Sequence, residues 1–515
     1  MSIKKRLFSS MISRKYKYVE HMLDHPWETA VEKLLQVLKR NASTVYGKRF
    51  HFDTVRSPED YSEKVPLTDS EQLRPYLKMV YENPRGAILT RDDVIWYLQT
   101  SGTTGRPKRL PVNRAGLRDV SNASVMVGLS FIAQDEARLK MLNGVTVVFG
   151  AATELDHING VPVGYASGVF IKFLGRFNRQ FVRPTEDVFN IQDMDRKMEA
   201  YAEVLVKEHV TGIQGITTLS LALIRKMQND YGPWLLRRFK GTKYENRLTA
   251  AMNDDGTIDV ETLWPDLIYF LGMGIDSSPY KQWIKETLPQ THIRELYGAS
   301  EGSLAGQLFE DIDGMQLFPC ANYYEFIPEN EIDEQEPQVL PMTDVRKGHR
   351  YEIVITNLLG YYRYRMGDLV TIAKTDPLTV CNVTRRGKIV NLSGEKVSEA
   401  HVSTAITAAC LKTGAELMDY TVYGKIENGL AHYVIAAMFH NPEIDPDEFV
   451  GAFEETMKTI NEEFRVVRET GALGPTVLEE MKSSYYDKVV RRRSHQSKPL
   501  SLATEAEIAR LLRGS

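Results

Sequence analysis

The sequence contains little cysteine. Only three of its 515 residues, Cys320, Cys381 and Cys410, are cysteines, and no two of them form a CxxC pair. A zinc ribbon and a disulfide framework both need closely matched cysteine spacings, so neither is supported. Such sparse cysteine usage fits a reducing compartment, and we therefore expect a cytoplasmic protein.

Long apolar runs are also lacking. No stretch approaches the roughly 20 residues that a transmembrane helix needs, and no signal-peptide core follows the start of the chain. Basic residues near the start, among them Lys4, Lys5 and Arg14, weakly resemble an amphipathic targeting segment. We favour the alternative that they belong to a first helix packed on the body of the protein. No membrane partner is expected.

The sequence has no strong excess of either charge. Its formal net charge is -4 and its pI is about 6.3, with 43% hydrophobic and 26% charged residues. This is an ordinary globular composition that gives no general attraction to nucleic acid. Because 515 residues exceed what one hydrophobic core usually serves, two or three domains are expected. We expect a monomer that acts on small molecules.

What the sequence does contain is a stretch rich in glycine and hydroxyl residues at 100–109, TSGTTGRPKR, between two strand-like apolar segments. Its glycines can curl the backbone and point several N–H and O–H donors at one place, which suits a polyphosphate. Gly-x4-Gly counted from Gly102 ends on Pro107, so the stretch is not a Walker loop. Because no helix follows directly, it is not a dinucleotide-binding loop either. An ordinary hairpin turn is the alternative.

The segments after this loop alternate between helical and strand patterns. Residues 115–133 are apolar at helical spacing, which predicts a buried helix that could form the floor of an apolar substrate pocket. Residues 267–271 are a continuous apolar run, which predicts a strand buried on both faces that ends near Gly274. Residues 292–297 predict a further strand that opens into Gly298. This alternation predicts a layered α/β fold, in which ligands bind where the strands end.

A mainly β section follows, and the pattern then changes. The strand candidates of this section are 323–327, 350–356 and 361–372. From about residue 383 the sequence predicts a compact α+β unit with its own strands and helices. We place a domain boundary near 382–386. The predicted fold class is α/β, with a large multi-layer N-terminal domain (1–383) that includes a β-barrel-like section, and a small α+β C-terminal domain (384–515).

Three separated stretches combine into one pattern: SGTTG at 101–105, YGASE at 297–301 and YRMGD at 364–368. In this order they resemble the motifs of the adenylate-forming superfamily, which includes acyl-CoA synthetases, nonribosomal adenylation domains and luciferases. Over nearly the whole chain the sequence resembles the auxin-responsive family of acyl-acid amido synthetases, and we expect a bacterial-type member. Further similar stretches are TVYG at 44–47, VPL at 65–67, YEIVITN at 351–357 and QSK at 496–498.

The resemblance implies a site for ATP and Mg²⁺ in the first domain, which would be an adenylation domain. The residues that it assigns to ATP are Ser101, Gly102, Thr103, Thr104, Gly274, Tyr297, Gly298, Ala299, Ser300, Glu301 and Asp368. Tyr297 would lie against adenine, Glu301 would bind Mg²⁺, and Asp368 would accept hydrogen bonds from the ribose hydroxyls. Taken singly, Glu301 could be only a helix cap and Asp368 only a turn residue.

The resemblance also implies that the C-terminal domain is mobile and carries catalytic residues. Arg385 matches an arginine beside the hinge that helps to hold the ribose or phosphate. Lys396 and Lys498 match lysines of the mobile domain, one of which reaches the reacting carboxylate and the α-phosphate. The residues that would contact the acyl substrate are not predicted.

The implied reaction activates a carboxylic acid as an acyl-AMP, releases pyrophosphate, and then transfers the acyl group to an amine, commonly an amino acid. Two departures from the plant amido synthetases leave alternatives for the acceptor. The loop at 101–108 is one residue shorter and looks like that of acyl-CoA ligases, and the segment 394–399 also differs. An acyl-CoA ligase is therefore the first alternative, and a non-catalytic ATP-binding or scaffold protein is the second.

Overall fold

A computed structural model describes residues 3–100, 108–274, 277–386, 389–390, 392–393, 395, 397–427, 430–441, 443–469, 472–481, 501–504 and 507–508. For some of these, including residues 3–11 and Arg385, only the backbone is described.

The α-helices begin and end where apolar periodicity and capping residues direct them. Asp69, for example, caps α5 by accepting hydrogen bonds from the N–H groups of Glu71 and Gln72. The helices are α1 (Ile3–Asp24), α2 (Pro26–Asn41), α3 (Val45–Arg49), α4 (Pro58–Lys64), α5 (Ser70–Glu82), α6 (Arg114–Ala133), α7 (Ala166–Lys172), α8 (Arg176–Arg179), α9 (Glu186–Phe189), α10 (Met194–Lys207), α11 (Thr217–Asn229), α12 (Gly232–Phe239), α13 (Glu245–Ala250), α14 (Val260–Leu263), α15 (Lys281–Thr287), α16 (Glu399–Thr413), α17 (Pro446–Ile460) and α18 (Glu462–Glu469).

The strands are β1 (Val94–Gln99), β2 (Arg109–Asn113), β3 (Val145–Val148), β4 (Asp156–Ile158), β5 (Val161–Tyr165), β6 (Val182–Arg183), β7 (Val210–Ile216), β8 (Tyr269–Met273), β9 (His292–Ala299), β10 (Gly302–Gly306), β11 (Met315–Leu317), β12 (Asn322–Pro328), β13 (Leu340–Pro341), β14 (Arg350–Asn357), β15 (Tyr364–Thr375), β16 (Leu378–Arg385), β17 (Ile389–Val390), β18 (Val397–Ser398), β19 (Leu417–Glu427), β20 (Leu430–Phe439), β21 (Val477–Glu480) and β22 (Leu502–Ala503). Short 3₁₀ helices lie at Phe52–Thr54, Glu136–Asn143, Ser278–Tyr280 and Glu329–Glu331.

The largest sheet is mixed. Among the described residues it contains twelve strands in the order β13-β12-β14-β15-β16-β11-β10-β9-β8-β7-β3-β6. Strands β8 and β9 are parallel, whereas β10 and β11 continue antiparallel from β9. Four of the five residues of β8 are buried, as expected for a continuous apolar run inside an α/β sheet.

A second, four-stranded sheet has the order β2-β1-β5-β4. Its strands β1 and β2 form an antiparallel hairpin in which Gln99 pairs with Arg109. Beyond this pair, the N–H of Thr100 donates to the carbonyl of Lys108 at 2.9 Å. The two ends of the glycine-rich loop are therefore held together at Thr100 and Lys108.

Helix α6 is the central helix of one hydrophobic core. Its buried residues include Val127 and Phe131, which pack with Ile12 and Val19 of α1 and with Leu296 of β9. The first helix therefore packs on the body of the protein, as the sequence analysis favoured over a targeting segment.

The chain divides into two compact units. The first comprises Met1–Gly215, Leu223–Gly274 and His292–Cys381, and the second comprises Ile216–Ala222, Ile275–Thr291 and Asn382–Ser515. The second unit contains a four-stranded sheet in the order β21-β20-β19-β22, on which Tyr423 and Val434 form part of a small core. The predicted α/β fold class is thus confirmed, while motion about 382–386 stays a prediction. None of the described helices combines the length and the apolar composition that crossing a bilayer requires.

Candidate active site

The predicted nucleotide motif at 297–301 lies at the end of β9 and in the turn to β10. Because β8 runs parallel to β9 and beside it, Gly274 and Ser300 follow the two strands at the same edge of the sheet. Gly274 has a left-handed backbone, with φ 89°, which favours glycine. The carboxyl ends of neighbouring parallel strands are the usual ligand-binding edge of an α/β sheet.

Gly298 lies on β9 beside empty space. Among the residues that the structure describes, no atom would lie within 4 Å of a Cβ built at this position. A flat ring could therefore approach the backbone of β9 here. This arrangement fits the adenine contact that the sequence predicts for Gly298 and its neighbours.

A buried hydrogen bond joins the second predicted motif to the third. The phenol of Tyr297 donates to Oδ2 of Asp368 over 2.7 Å, although the two residues are 71 positions apart in the sequence. Both residues are buried, with 6% and 7% of their surface exposed. The structure thus brings the motifs at 297–301 and 364–368 into direct contact. Because a carboxylate can accept several hydrogen bonds, Asp368 can bind Tyr297 and a sugar hydroxyl together.

The backbone before Asp368 is shaped by Gly367 and by a buried carboxylate. Gly367 is left-handed, with φ 68°, and its N–H donates to Oε1 of Glu352 at 3.2 Å. Oε2 of the same carboxylate accepts hydrogen bonds from the guanidinium of Arg365. Glu352 therefore holds β15 on both sides of Met366 and fixes the direction in which Asp368 leaves the backbone.

Glu301 is held in place by Asn357. Nδ2 of Asn357 donates to the carbonyl of Glu301 and to Oδ1 of Asn322, both at 3.0 Å. Its Oδ1 accepts from the N–H of Leu359 at 3.0 Å. Asn357 is almost fully buried, so it links the Glu301 turn rigidly to the turn that begins at residue 358.

A buried ion pair supports the segment that leads into β15. Nε of Arg363 donates to both carboxylate oxygens of Glu325, at 3.0 and 3.1 Å, and its NH1 donates to the carbonyl of Val65 at 2.9 Å. Burial raises the pKa of Glu325, and the charge of Arg363 opposes that rise. The Val-Pro-Leu stretch at 65–67 thus contacts the residue directly before the third motif.

The glycine-rich loop itself, with Ser101, Gly102, Thr103 and Thr104, lies outside the described residues. Its C-terminal flank is fixed because the phenol of Tyr81 donates to the carbonyl of Arg109 at 2.6 Å. Nearby, Nδ2 of Asn113 donates to the carbonyl of Leu358 at 2.7 Å. Strand β2, which follows the loop, is therefore tied to the turn that precedes Asp368.

Glu301 offers a single buried carboxylate for a cation. No group of three or more His, Cys, Asp and Glu side chains that could hold a metal occurs in the described part of the chain. A closed zinc or calcium cage is thus not built there. Mg²⁺, by contrast, is usually held by one or two carboxylates together with substrate phosphates, so Glu301 fits that ion.

The structure does not describe the side chains of the three catalytic residues predicted for the second unit. Lys396 and Lys498 lie outside the described residues, and Arg385 is described only by its backbone, at the end of β16. Their roles stay predictions.

Helix α6 packs beside the Glu301 turn. The Oγ atoms of Ser124 on α6 and Ser303 on β10 lie 2.6 Å apart. Near the start of the helix, Gly116 lies against Leu359, so closely that a Cβ would come within 2.3 Å of a methyl carbon. That the helix forms the floor of a substrate pocket stays a prediction.

The residues that support the site were not predicted from the sequence. Glu352 and Asn357 belong to a stretch that was noted only for its similarity, and Tyr361 was predicted only as part of a strand. The signal for Glu352 and Asn357 was their polarity within a strand, β14, of which seven of eight residues are buried. A buried polar side chain there requires a hydrogen-bond partner.

Comparison with known proteins shows which family the chain resembles. Residues 15–231 match the GH3 family N-terminal domain, 315–380 the GH3 family central domain and 400–501 the GH3 family C-terminal domain. A jasmonoyl–L-amino acid synthetase of Nicotiana attenuata is 23% identical over 455 residues, which cover 78% of this chain and 77% of the relative. An indole-3-acetic acid-amido synthetase of Arabidopsis thaliana is 23% identical over 500 residues, covering 84% and 88%. These plant relatives do not support the bacterial-type assignment.

Two solved structures share the fold. The acyl acid amido synthetase GH3.15 superposes with a TM-score of 0.77 at 19% identity, covering 98% of this chain and 96% of that one. A 2-hydroxyisobutyryl-CoA ligase has a TM-score of 0.56 at 14% identity, covering 94% and 90%. The three family domains together match most of the sequence. This chain belongs to the GH3 family, and the relatives named above are amido synthetases of acids and amino acids.

Proposed function

We propose that the chain is an acyl-acid amido synthetase that depends on ATP and Mg²⁺. It would join a small carboxylic acid to an amine, most simply an amino acid. The observation that supports the proposal is the Tyr297–Asp368 hydrogen bond, because it brings together two of the stretches that resemble nucleotide motifs. Tyr297 belongs to β9, at the end of which an α/β sheet usually binds its ligand.

The first step is adenylation. A carboxylate oxygen of the acid attacks the α-phosphorus of ATP, the bond from that phosphorus to the bridging oxygen breaks, and pyrophosphate leaves with the electron pair. Asp368 holds the ribose, Tyr297 and Gly298 hold the base, and the loop at 101–104 binds the β- and γ-phosphates. Mg²⁺, when bound at Glu301, supplies positive charge that stabilises the departing pyrophosphate.

The second step is acyl transfer. The amine nitrogen attacks the acyl carbon, the bond to the AMP oxygen breaks, and the nitrogen loses a proton. We assign Lys396, Lys498 and Arg385 to these steps, and we propose that rotation near 382–386 changes the site between them. Such closure excludes water from the mixed anhydride. The cytoplasmic location belongs to the same proposal.

The test is pyrophosphate release by the purified protein with ATP, Mg²⁺ and a library of carboxylic acids. Each acid is tested alone, with an amino-acid mixture and with CoA, and products are identified by mass spectrometry. We expect stimulation by amino acids and an amide product. The absence of both ATP binding and turnover would instead indicate a scaffold protein.

Asp368→Asn keeps the hydrogen bond from Tyr297 but removes the charge that binds the ribose hydroxyls. It should reduce pyrophosphate release by about 100-fold, mainly through weaker ATP binding. Asp344→Asn, in the exposed turn after β13, is the matched control and should retain normal release. Normal release by Asp368→Asn would contradict the site assignment.

An acyl-CoA ligase is the second candidate, favoured by the short Gly-Arg-Pro-Lys form of the loop at 105–108. Stimulation of pyrophosphate release by CoA, with a thioester product and no amide, would establish it.

A further inference from the structure

Tyr361 carries a buried hydroxyl that the reaction described above does not use. Its side chain is only 4% exposed, and its phenol oxygen has no hydrogen-bond partner among the residues that the structure describes. A buried hydroxyl without a partner is unfavourable in a folded protein. Its presence therefore requires a physical reason.

The turn that carries Tyr361 is held firmly. The N–H of Asn357 donates to the carbonyl of Tyr361 at 3.0 Å, and the phenol of the next residue, Tyr362, donates to the carbonyl of Leu89. The ring of Tyr361 also packs against that of Tyr364, with centroids 4.9 Å apart. The phenol is thus held in place and does not simply swing out to find a partner in solvent.

The groups around this phenol belong to the candidate site. Burial raises the pKa of Tyr361 well above its ordinary value, and the charge of Glu301 and the phenols of Tyr364 and Tyr81 raise it further. Tyr361 therefore stays protonated near neutral pH and can act as a donor. Tyr81 in turn holds Arg109, directly after the glycine-rich loop and Lys108. Asn357 connects the two residues directly, because its N–H donates to the carbonyl of Tyr361 and its Nδ2 donates to the carbonyl of Glu301, each at 3.0 Å. The turn that carries the phenol therefore lies beside the turn of the predicted cation ligand.

Tyr46 provides a contrast within the same unit. Its hydroxyl is also buried and has no hydrogen-bond partner among the described residues. Burial raises its pKa as well, but the neighbouring groups are Tyr76, Arg49 and Arg363, not Glu301. Its ring stacks on Tyr362, with centroids 4.8 Å apart. An unpartnered phenol thus occurs in both places among the described residues, and only that of Tyr361 belongs to the turn that Asn357 links to Glu301.

From this placement we infer that Tyr361 is a further binding residue of the nucleotide site, whose O–H donates to an oxygen of the magnesium polyphosphate held at Glu301. The inference rests on the proposed function. The ligand would supply the partner that the hydroxyl lacks in the free protein, and a hydrogen bond to a charged oxygen is among the stronger kinds. AMP has no polyphosphate and would gain nothing from it.

The test compares Tyr361→Phe with Tyr46→Phe in the full-length protein. Each variant loses one buried hydroxyl and keeps its ring, so both should fold and melt no lower than the wild type without ligand. Calorimetric titration then measures binding of MgATP and of AMP. We expect Tyr361→Phe to weaken MgATP binding about tenfold with AMP binding unchanged, and Tyr46→Phe to change neither.

Three results would overturn the inference while leaving the proposed function intact. These are unchanged MgATP binding by Tyr361→Phe, equal weakening of MgATP and AMP, and a lower melting temperature of the unliganded Tyr361→Phe variant. The last would mean that the hydroxyl already has a partner in the free protein. If the wild type bound neither nucleotide, the proposed function itself would fail.

Discussion

The two ends of strand β9 carry opposite kinds of polar cluster. At its start, Glu310 accepts hydrogen bonds from Arg138, from His292 at 2.6 Å and from Arg294 at 3.4 Å. Burial alone would raise the pKa of Glu310, but the hydrogen bond from His292, the charge of Arg294 and the other cationic contacts lower it to about 2. Here a single carboxylate pairs with two guanidinium groups and an imidazole.

At the other end of the same strand the arrangement is acidic. Tyr297 donates to Asp368, and Glu301 follows in the turn. Asn357 links Glu301 to Tyr361, whose phenol has no hydrogen-bond partner among the described residues. Carboxylates with hydroxyl donors around them suit sugar hydroxyls and a phosphate-bound cation. The comparison teaches that the groups of the first cluster pair with one another and stabilise the fold, whereas those of the second match the ligand that we propose.

The largest expected effect comes from Glu301→Gln. The amide keeps the shape of the side chain and removes the charge that Mg²⁺ requires, so pyrophosphate release should fall by about 100-fold or more. The melting temperature without ligand should change little. Full activity of this variant at low Mg²⁺ would show that Glu301 does not bind the cation. The cluster at this end of β9 would then not be a ligand site.

A large effect on stability, not activity, is expected from Glu310→Ala. This change leaves Arg294, which is only 1% exposed, without its carboxylate. An unpaired buried guanidinium should lower the free energy of unfolding by roughly 1–3 kcal/mol, less than for a fully buried pair, because Glu310 itself is partly exposed. Denaturant titration measures the loss. Pyrophosphate release at a temperature where the variant is folded should match the wild type, and a loss comparable to that of Glu301→Gln would contradict the comparison.

In the wild type, acid should remove the stabilisation of the folded protein that the charged Glu310 carboxylate provides. The pKa of Glu310 is lower in the folded protein than its ordinary value of 4.5, so its stabilisation is present above pH 4.5 and is lost as the pH falls toward 2. Glu310→Gln should therefore destabilise the protein at pH 6 more than at pH 3. Equal destabilisation at both pH values would show that charge is not the cause.

A carboxylate of the second unit should respond to pH in the opposite direction. Burial and the nearby Glu286 raise the pKa of Glu416 to about 7, with Nε2 of His440 3.9 Å from its Oε2. A raised pKa means that its favourable contribution is present below about pH 4.5 and is lost as the pH rises through 7. Glu416→Gln should thus raise the melting temperature slightly at pH 8 and little at pH 5. A higher melting temperature at pH 5 but not at pH 8 would contradict the raised pKa of Glu416.

Much of the fold was predictable because apolar periodicity is local. The buried strand at 267–271 and the helix at 115–133 correspond to β8 and α6. The meeting of Tyr297 and Asp368 could not be derived from local pattern, since it joins positions 71 apart, and only the resemblance of ordered motifs placed them in one site.

The roles of Tyr361, Glu352 and Asn357 could not be predicted from the sequence, because they depend on contacts in three dimensions. Tyr361 lies in an aromatic segment, where packing is the ordinary explanation, and its missing hydrogen-bond partner is visible only in three dimensions. Glu352 and Asn357 act through partners on other strands and turns. The glycine-rich loop, Lys396 and Lys498 lie outside the described residues, so their roles stay predictions.

The most direct test of the central claim, activation of a carboxylic acid through its adenylate, uses an acid from the library labelled with ¹⁸O in its carboxylate. The reaction is run with ATP, Mg²⁺ and an amino acid, and AMP, pyrophosphate and the organic product are analysed by mass spectrometry. The account predicts an amide, one labelled oxygen in AMP and none in pyrophosphate. Formation of ADP with labelled orthophosphate, or AMP without label, would contradict it.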